Sequence, residues 1–223
     1  MPTEGFVEPR GELYIDWAFD EAGAAAVRDG AMPAEDLGLQ GAQWVTDDGP
    51  VHVRFDGMGA RGVGPDLQEW VPTLEAITIE ARVRIDGQAD DWTRRSIVGV
   101  PQSSSAGNYP LGLHVYTAGR RLELDLTAGD VHLQVNRDQA YEPGRWISVH
   151  GVYDGEAATL YVDGEPLAGP SALAGPLHGY EFEGARQPIE VAGGEQGQGL
   201  ACGLASLRIY GRAFVSQEVA HRH

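Results

Sequence analysis

Between Ile77 and Ile85 apolar and polar side chains alternate without a break, Ile77, Ile79, Ala81, Val83 and Ile85 against Thr78, Glu80, Arg82 and Arg84. A period of two belongs to an extended strand with one face in a core, and it predicts that the second face meets water. The same alternation returns in residues 111–116 (LGLHVY), 122–126 (LELDL) and 131–135 (VHLQV), with the short polar turns TAGR and TAGD between them. These three segments read as an antiparallel meander. Further on, residues 146–168 (WISVHGVYDGEAATLYVDGEPLA) carry two Asp-Gly pairs, Asp154-Gly155 and Asp163-Gly164, each flanked by β-branched and aromatic residues. Asp-Gly between such runs is the strongest short-range hairpin signal, so two more hairpins are expected here. Helical periodicity is scarce. Residues 22–30 (AGAAAVRDG) allow a turn or so of helix, and Ser216-Gln217-Glu218 allows a short capped terminal helix.

Many short strands with one apolar face must pack sheet on sheet to bury it. The expected fold is therefore all-β, a two-sheet antiparallel β-sandwich of the jelly-roll kind. It occupies residues 12–223 as one domain behind a polar N-terminal arm, residues 1–11. The 31 glycines and 13 prolines are spread at short intervals, as turns between strands require.

Composition narrows the partners. The chain of 223 residues has 33 acids against 16 bases, a net charge of −17, and all the bases are arginine. Nucleic acid and anionic lipid surfaces need clustered positive charge, so neither is an expected partner. No stretch approaches the ~20 apolar residues of a membrane span, and no membrane insertion is expected. The opening MPTEGFVEPRGE lacks the basic and apolar regions of a signal peptide. Localisation is thus left open, extracytoplasmic being the expectation if a leader has been trimmed away. The single cysteine, Cys202, excludes an internal disulfide and reads as a small buried hydrophobe.

The double hairpin at 146–168 resembles the Trp…Val-Tyr-Asp-Gly…Leu-Tyr-Val-Asp-Gly motif of the laminin-G-like, concanavalin A-like lectin/glucanase family. Supporting similarities lie in Ile79-Glu80-Ala81-Arg82-Val83, in Val53-Arg54-Phe55-Asp56-Gly57, in the opening Trp17-Ala-Phe-Asp-Glu21 and in Leu207-Arg208-Ile209-Tyr210 near the end. The resemblance runs from about residue 12 to 220 and implies a concanavalin A-like jelly roll. Because that sandwich hosts lectins, glycosidases, adhesion modules and spacers, it implies a fold before a function. Many relatives hold a calcium ion between an acid after the first strand and an acid before the last Val-Arg-Ile-Tyr strand. Asp29 matches the first position, whereas Ala205 falls at the second, which leaves calcium with half of its carboxylate pair.

Glycosidases on this sandwich carry Glu-x-Asp-x-x-Glu on one strand; here the run is Glu123-Leu-Asp125-Leu-Thr-Ala128, and the third carboxylate is missing. No catalytic role is therefore expected. Pairing Tyr116 with Arg121 and Leu126 with Val131 brings His114, Glu123, Asp125, His132 and Gln134 onto one face, with Tyr116 at its edge. Such a patch can hydrogen-bond a sugar or serve as ordinary cross-strand pairs on a solvated sheet. Sugar binding also calls for exposed aromatic rings, and Trp92, with Asn108 and Tyr109, lies in loops suited to present them. Trp17, Trp44, Trp70 and Trp146 sit beside apolar neighbours and read as packing. The expected function is a non-catalytic carbohydrate-binding or adhesion module whose partner is a carbohydrate or glycoconjugate. The alternatives are an assembly or decoration subunit holding a protein partner, and a carbohydrate-active enzyme using the polar patch.

Overall fold

The structure is a computed structural model. It describes residues 13–19, 25–27, 37–66, 74–87, 91–99, 111–128, 131–177, 188–194 and 198–222. In chain order the strands are β1 (Leu13–Phe19), β2 (Ala25–Val27), β3 (Gly38–Gln40), β4 (Gln43–Val45), β5 (His52–Asp56), β6 (Arg61–Asp66), β7 (Ile77–Ile85) and β8 (Arg95–Gly99). They continue as β9 (Leu111–Tyr116), β10 (Arg121–Ala128), β11 (Val131–Arg137), β12 (Trp146–Tyr153), β13 (Ala157–Val162), β14 (Glu165–Ala172), β15 (Pro188–Val191) and β16 (Ala201–Tyr210), followed by helix α1 (Ser216–Ala220).

Among the described residues these strands make two antiparallel sheets. One runs β14-β13-β12-β7-β16-β1-β2, with β5 also on β16 and β4 on β5. The other runs β11-β10-β9-β8-β15-β6-β3. The alternation read from the sequence explains why they stack. Ile77, Ile79, Ala81, Val83 and Ile85 from the first sheet join Leu111, Leu113, Val115, Leu122, Leu124 and Leu126 from the second in one buried apolar cluster. Each leucine so buried stabilises the fold by about 2 kcal/mol before its entropy cost. Trp17 lies in the same cluster at 1 % exposure, and Cys202 is buried with its thiol pushed up from its ordinary pKa by that burial. The predicted hairpins form as β12-β13-β14. At the second turn Asp163 (φ 48°) and Gly164 (φ 83°) both adopt the left-handed backbone that a tight two-residue hairpin requires.

Two expectations change. Residues 25–27 are not helical but form strand β2, which pairs with β1 through Trp17↔Val27 and Phe19↔Ala25. An isolated turn of helix has no cooperative support, whereas an open sheet edge offers ready partners to the backbone. The second face of β7 is not wet either: Thr78, Glu80 and Arg84 are buried. The C-terminal segment covers Thr78 and Glu80. Phe214 N–H donates to Thr78 Oγ1 (3.0 Å), Thr78 Oγ1 donates to the Arg212 carbonyl (2.8 Å), and Arg222 Nη1 donates to Glu80 Oε2 (3.1 Å). Phe214 and Val219 pack there with Val152, Tyr161 and Tyr210. Helix α1 appears where Ser216-Gln217-Glu218 predicts it, with Val215 rather than Ser216 at the cap and Glu218 accepting the Val215 N–H (2.9 Å).

Candidate functional site

The site lies on the outer face of the second sheet. Alternation puts Leu111, Leu113 and Val115 of β9 and Leu122, Leu124 and Leu126 of β10 inward, so His114 and Tyr116, with Glu123, Asp125 and Thr127, must point outward. The β9–β10 register is the expected one, Tyr116↔Arg121 and His114↔Glu123. The β10–β11 register is not. The strands pair as far as Ala128↔Val131, so Asp125 faces Gln134, Thr127 faces His132 and Glu123 faces Asn136. The ladder is thus two residues longer than a four-residue turn would leave it. An even slip leaves every side chain on its own face, so the expected set still gathers, and Asn136 joins it. His132 reaches Asp125 diagonally, Nε2 to Oδ1 at 3.3 Å.

The patch is not a solvated surface. His114 and Asp125 are 0 % exposed and Glu123 is 2 % exposed. Burying two carboxylates side by side requires a cation, which Arg94 supplies, itself buried just ahead of β8. Its Nη2 lies 3.1 Å from Glu123 Oε1 and also contacts Asp125 Oδ2. The sequence carried a partial signal for it: Glu123 and Asp125, two residues apart on one strand face, call for a nearby cation, and the run Trp92-Thr-Arg-Arg95 offers two. The His114 ring sits against two glycines: a Cβ on Gly112 or Gly99 would come within 2.6 Å or 2.9 Å of its Cε1. Its Nδ1 and Ser96 Oγ are hydrogen-bonded at 3.0 Å, and its Nε2 lies 3.6 Å from Asp125 Oδ2. Burial, then the charges of Arg94 and His132, holds the His114 pKa well below its ordinary value. Burial and Arg94 also lower that of His132, against an opposing pull from Glu123. Both rings are therefore neutral at neutral pH.

Above this network is a rim. Glu123 Oε1 accepts from the Tyr116 hydroxyl (3.2 Å) and Gln134 Nε2 (3.4 Å), and Glu123 Oε2 accepts from Asn136 Nδ2 (3.5 Å). Gln134 and Asn136 are exposed, Tyr116 is half-buried and Trp92 is 61 % exposed. The Trp92 and Tyr116 rings lie 6.3 Å apart, and the Arg121 guanidinium lies 5.1 Å from the first and 5.8 Å from the second. Arg121 is fixed in turn by Asp138 (2.7 Å), whose carboxyl it holds below the usual range. The segment carrying Trp92 is pinned next door: Arg95 grips both oxygens of Asp91 (2.7 and 3.0 Å), which lowers that carboxyl to about 2, and Ala118 N–H donates to the Asp91 carbonyl (2.8 Å).

A cleft of about 360 Å³ opens beside the rim, lined among others by Asp86, Thr117, Gly119, Arg120, Gln139 and Tyr141. Gly119 belongs to both features, since a Cβ there would lie 3.7 Å from the Trp92 ring. Arg120 (φ 51°) and Gln139 (φ 53°) are both left-handed, and the backbone bonds Gln139 N–H to Gly119 O (2.7 Å) and Ala140 N–H to Arg120 O (3.0 Å) hold them there. Non-glycine residues in that region are strained, and strain of this kind gathers where a surface is held in shape.

Of the predicted site residues, Trp92, His114, Tyr116, Glu123, Asp125, His132 and Gln134 come together. Asn108, Tyr109, Asp29 and the arm at 1–11 lie outside the described residues. Arg94, Ser96, Arg121, Asn136 and Asp138 were missed. Among the described residues no group of three or more His, Cys, Asp or Glu side chains is arranged to hold a metal ion. Ala205, in β16, has no side-chain oxygen to offer calcium.

A two-sheet jelly roll carrying a polar recess and an aromatic rim on one sheet is the class of protein these features define. The chain belongs to the concanavalin A-like lectin/glucanases superfamily, whose laminin-G-type family model matches residues 64–220, the double hairpin included. No curated protein matches the sequence. Among solved structures it is similar to Trypanosoma rangeli sialidase in complex with the inhibitor DANA, at 17 % identity and a TM-score of 0.60, covering 98 % of this chain and 32 % of that one. It is also similar to the receptor-binding domain of botulinum neurotoxin C/D mosaic serotype (11 %, TM-score 0.64, 94 % and 50 % covered). A further similarity is to the binding domain of Paraclostridial Mosquitocidal Protein 1 (13 %, TM-score 0.68, 94 % and 51 % covered). The chain thus spans a third to a half of these structures, and identities this low establish the shared fold. No helix among the described residues is long and apolar enough to cross a membrane.

Proposed function

We propose that this chain is a non-catalytic carbohydrate-binding module that presents Trp92, Tyr116, Gln134 and Asn136 to a glycan. The observation that carries the reading is Trp92, a large exposed ring beside Tyr116, whose hydroxyl shares Glu123 with the exposed amides of Gln134 and Asn136. Pyranose rings offer an apolar face for stacking and equatorial hydroxyls for planar acceptors and donors, and this surface supplies both. His114, Asp125 and Arg94 act from beneath, as positioning residues. Glu123 is the hub through which Tyr116, Gln134 and Asn136 are aimed. The non-catalytic part rests on Glu123 and Asp125, both buried and gripped by Arg94, and on Ala128 in place of a third acid. Two-carboxylate hydrolysis needs both groups flanking an accessible glycosidic bond. Solved structures of similar fold add support, since one is a sialidase in complex with sialic acid and another is a toxin's receptor-binding domain.

The test is a glycan array followed by isothermal titration with the native chain and Trp92→Ala. Loss of stacking weakens binding about tenfold, the equivalent of ~1.4 kcal/mol. A native chain that binds no glycan, or a Trp92→Ala variant that binds as tightly, overturns the reading.

A further inference from the structure

The arginines that line the rim and the cleft each have a carboxylate partner. Arg120 is held by Glu142 (2.7 Å), Arg121 by Asp138 (2.7 Å), Arg95 by Asp91 (2.7 Å) and Arg94 by Glu123 (3.1 Å) and Asp125. Asp86, at the cleft wall, is held by Arg84 (3.1 Å) and faces Arg54 (4.0 Å). An anionic ligand taking one of these arginines would exchange an exposed pair such as Arg120–Glu142 for another of similar small worth, or break the buried Arg94 group at a much larger cost. It would also approach a chain of net charge −17. What the surface leaves on offer is uncharged: the Trp92 ring and the exposed amides of Gln134, Asn136 and Gln139, the last at the cleft. These groups match hydroxyls, not carboxylates or sulfates.

We propose that the ligand is an uncharged, hydroxyl-rich glycan of two or more residues, one stacked on Trp92 and its neighbour seated in the cleft beside Gly119. The volume of about 360 Å³ suits a single sugar ring, and the backbone of Gly119 is common to both features. This proposal rests on the reading of Trp92 given above and adds the charge class and a second subsite.

Two comparisons test it. In the first, neutral oligosaccharides are titrated beside sialylated, uronate and sulfated counterparts, at about 0.05 M and 0.5 M sodium chloride. Neutral glycans are expected to bind in a Trp92-dependent manner with less than about a twofold change across that range, since no ion pair is formed with the ligand. In the Glu142→Gln variant, where Arg120 loses its exposed partner, acid-bearing glycans should gain about fivefold in affinity. In the second, chain length is varied: a second sugar residue is expected to tighten binding, and Gln139→Gly, which suits the left-handed backbone, should remove that gain alone. Trp92-dependent binding confined to acidic glycans keeps the carbohydrate-binding function and overturns the charge class. Equal affinity for mono- and disaccharides overturns the cleft. Absence of Trp92-dependent binding overturns the function and this inference with it.

Discussion

His114 occupies a hole that two glycines leave for it, and its surroundings decide its charge. Gly99 and Gly112 face the ring edge, Ser96 holds one nitrogen, Asp125 lies 3.6 Å from the other, and the charges of Arg94 and His132 act on the ring. Gly112→Ala drives a methyl group into the imidazole and should cost about 1–3 kcal/mol, read as a lowered denaturant midpoint with an unchanged slope. Unaltered stability would show that the ring does not sit there. The pH dependence follows from burial. An unfolded chain protonates this histidine near 6.5, whereas the folded chain, with its pKa well below that, does not. Unfolding therefore takes up a proton below pH 6.5, so stability is flat above that value and falls as pH drops through it. His132 adds in the same direction. Urea midpoints at about pH 7.5 and 5.5 should differ in the native chain and differ less in His114→Asn. Equal slopes in the two would remove His114 as the cause. Which residues would share this face was legible, because alternation places them. Their burial was not, because a period of two reports which side a residue points to and nothing about what covers that side.

Elements were read best where local chemistry decides them. β7, β9 and the β12-β13-β14 hairpins follow from alternation and from Asp-Gly turns, and they form where expected. The β10–β11 register slipped by two because a turn of four residues and one of two are equally compatible with TAGD, and only the ladder chooses. Residues 25–27 became a strand because a helix of a turn or so is not stable alone, even with alanines in it, whereas the edge of β1 supplies backbone partners. The cover on β7 was illegible for a different reason: Thr78 and Phe214 lie far apart in the chain yet share a hydrogen bond. Glu218 is central to that cover, since it receives two Arg212 nitrogens (2.8 and 3.0 Å) and the Val215 N–H. Arg212 holds its carboxyl below the ordinary 4.5, so its contribution is complete above pH 4.5 and is lost as pH falls through the lower folded value. Glu218→Gln should therefore cost about 1 kcal/mol at neutral pH, and the difference from the native chain should vanish in strong acid, where both side chains are uncharged. A gap that persists there would mean that shape, and not charge, holds the C-terminal segment.

At the scale of the whole molecule two electrostatic tendencies oppose each other. The net charge of −17 repels itself, and that repulsion is greatest in the compact state. Against it stand surface pairs such as Arg121–Asp138 and Arg120–Glu142, each at 2.7 Å. Salt weakens both, but unequally. An exposed pair is worth about 0–1 kcal/mol and acts within contact distance, whereas the excess of acids acts across separations longer than the ~8–10 Å over which physiological salt screens. The Arg94–Glu123–Asp125 group is buried and screened least of all. Repulsion is therefore the larger loss on adding salt, and the sign is decided: raising sodium chloride from about 0.05 M to 0.5 M should raise the thermal midpoint by a few degrees. Scanning calorimetry at constant pH would measure it, with Arg94→Met as a comparison that leaves two buried acids without their cation. That variant should lose about 3–5 kcal/mol at any salt concentration, because ions in solvent cannot reach the site to replace the guanidinium. A native midpoint that falls with salt would mean that short-range surface pairs, not long-range repulsion, dominate the electrostatics of this sandwich.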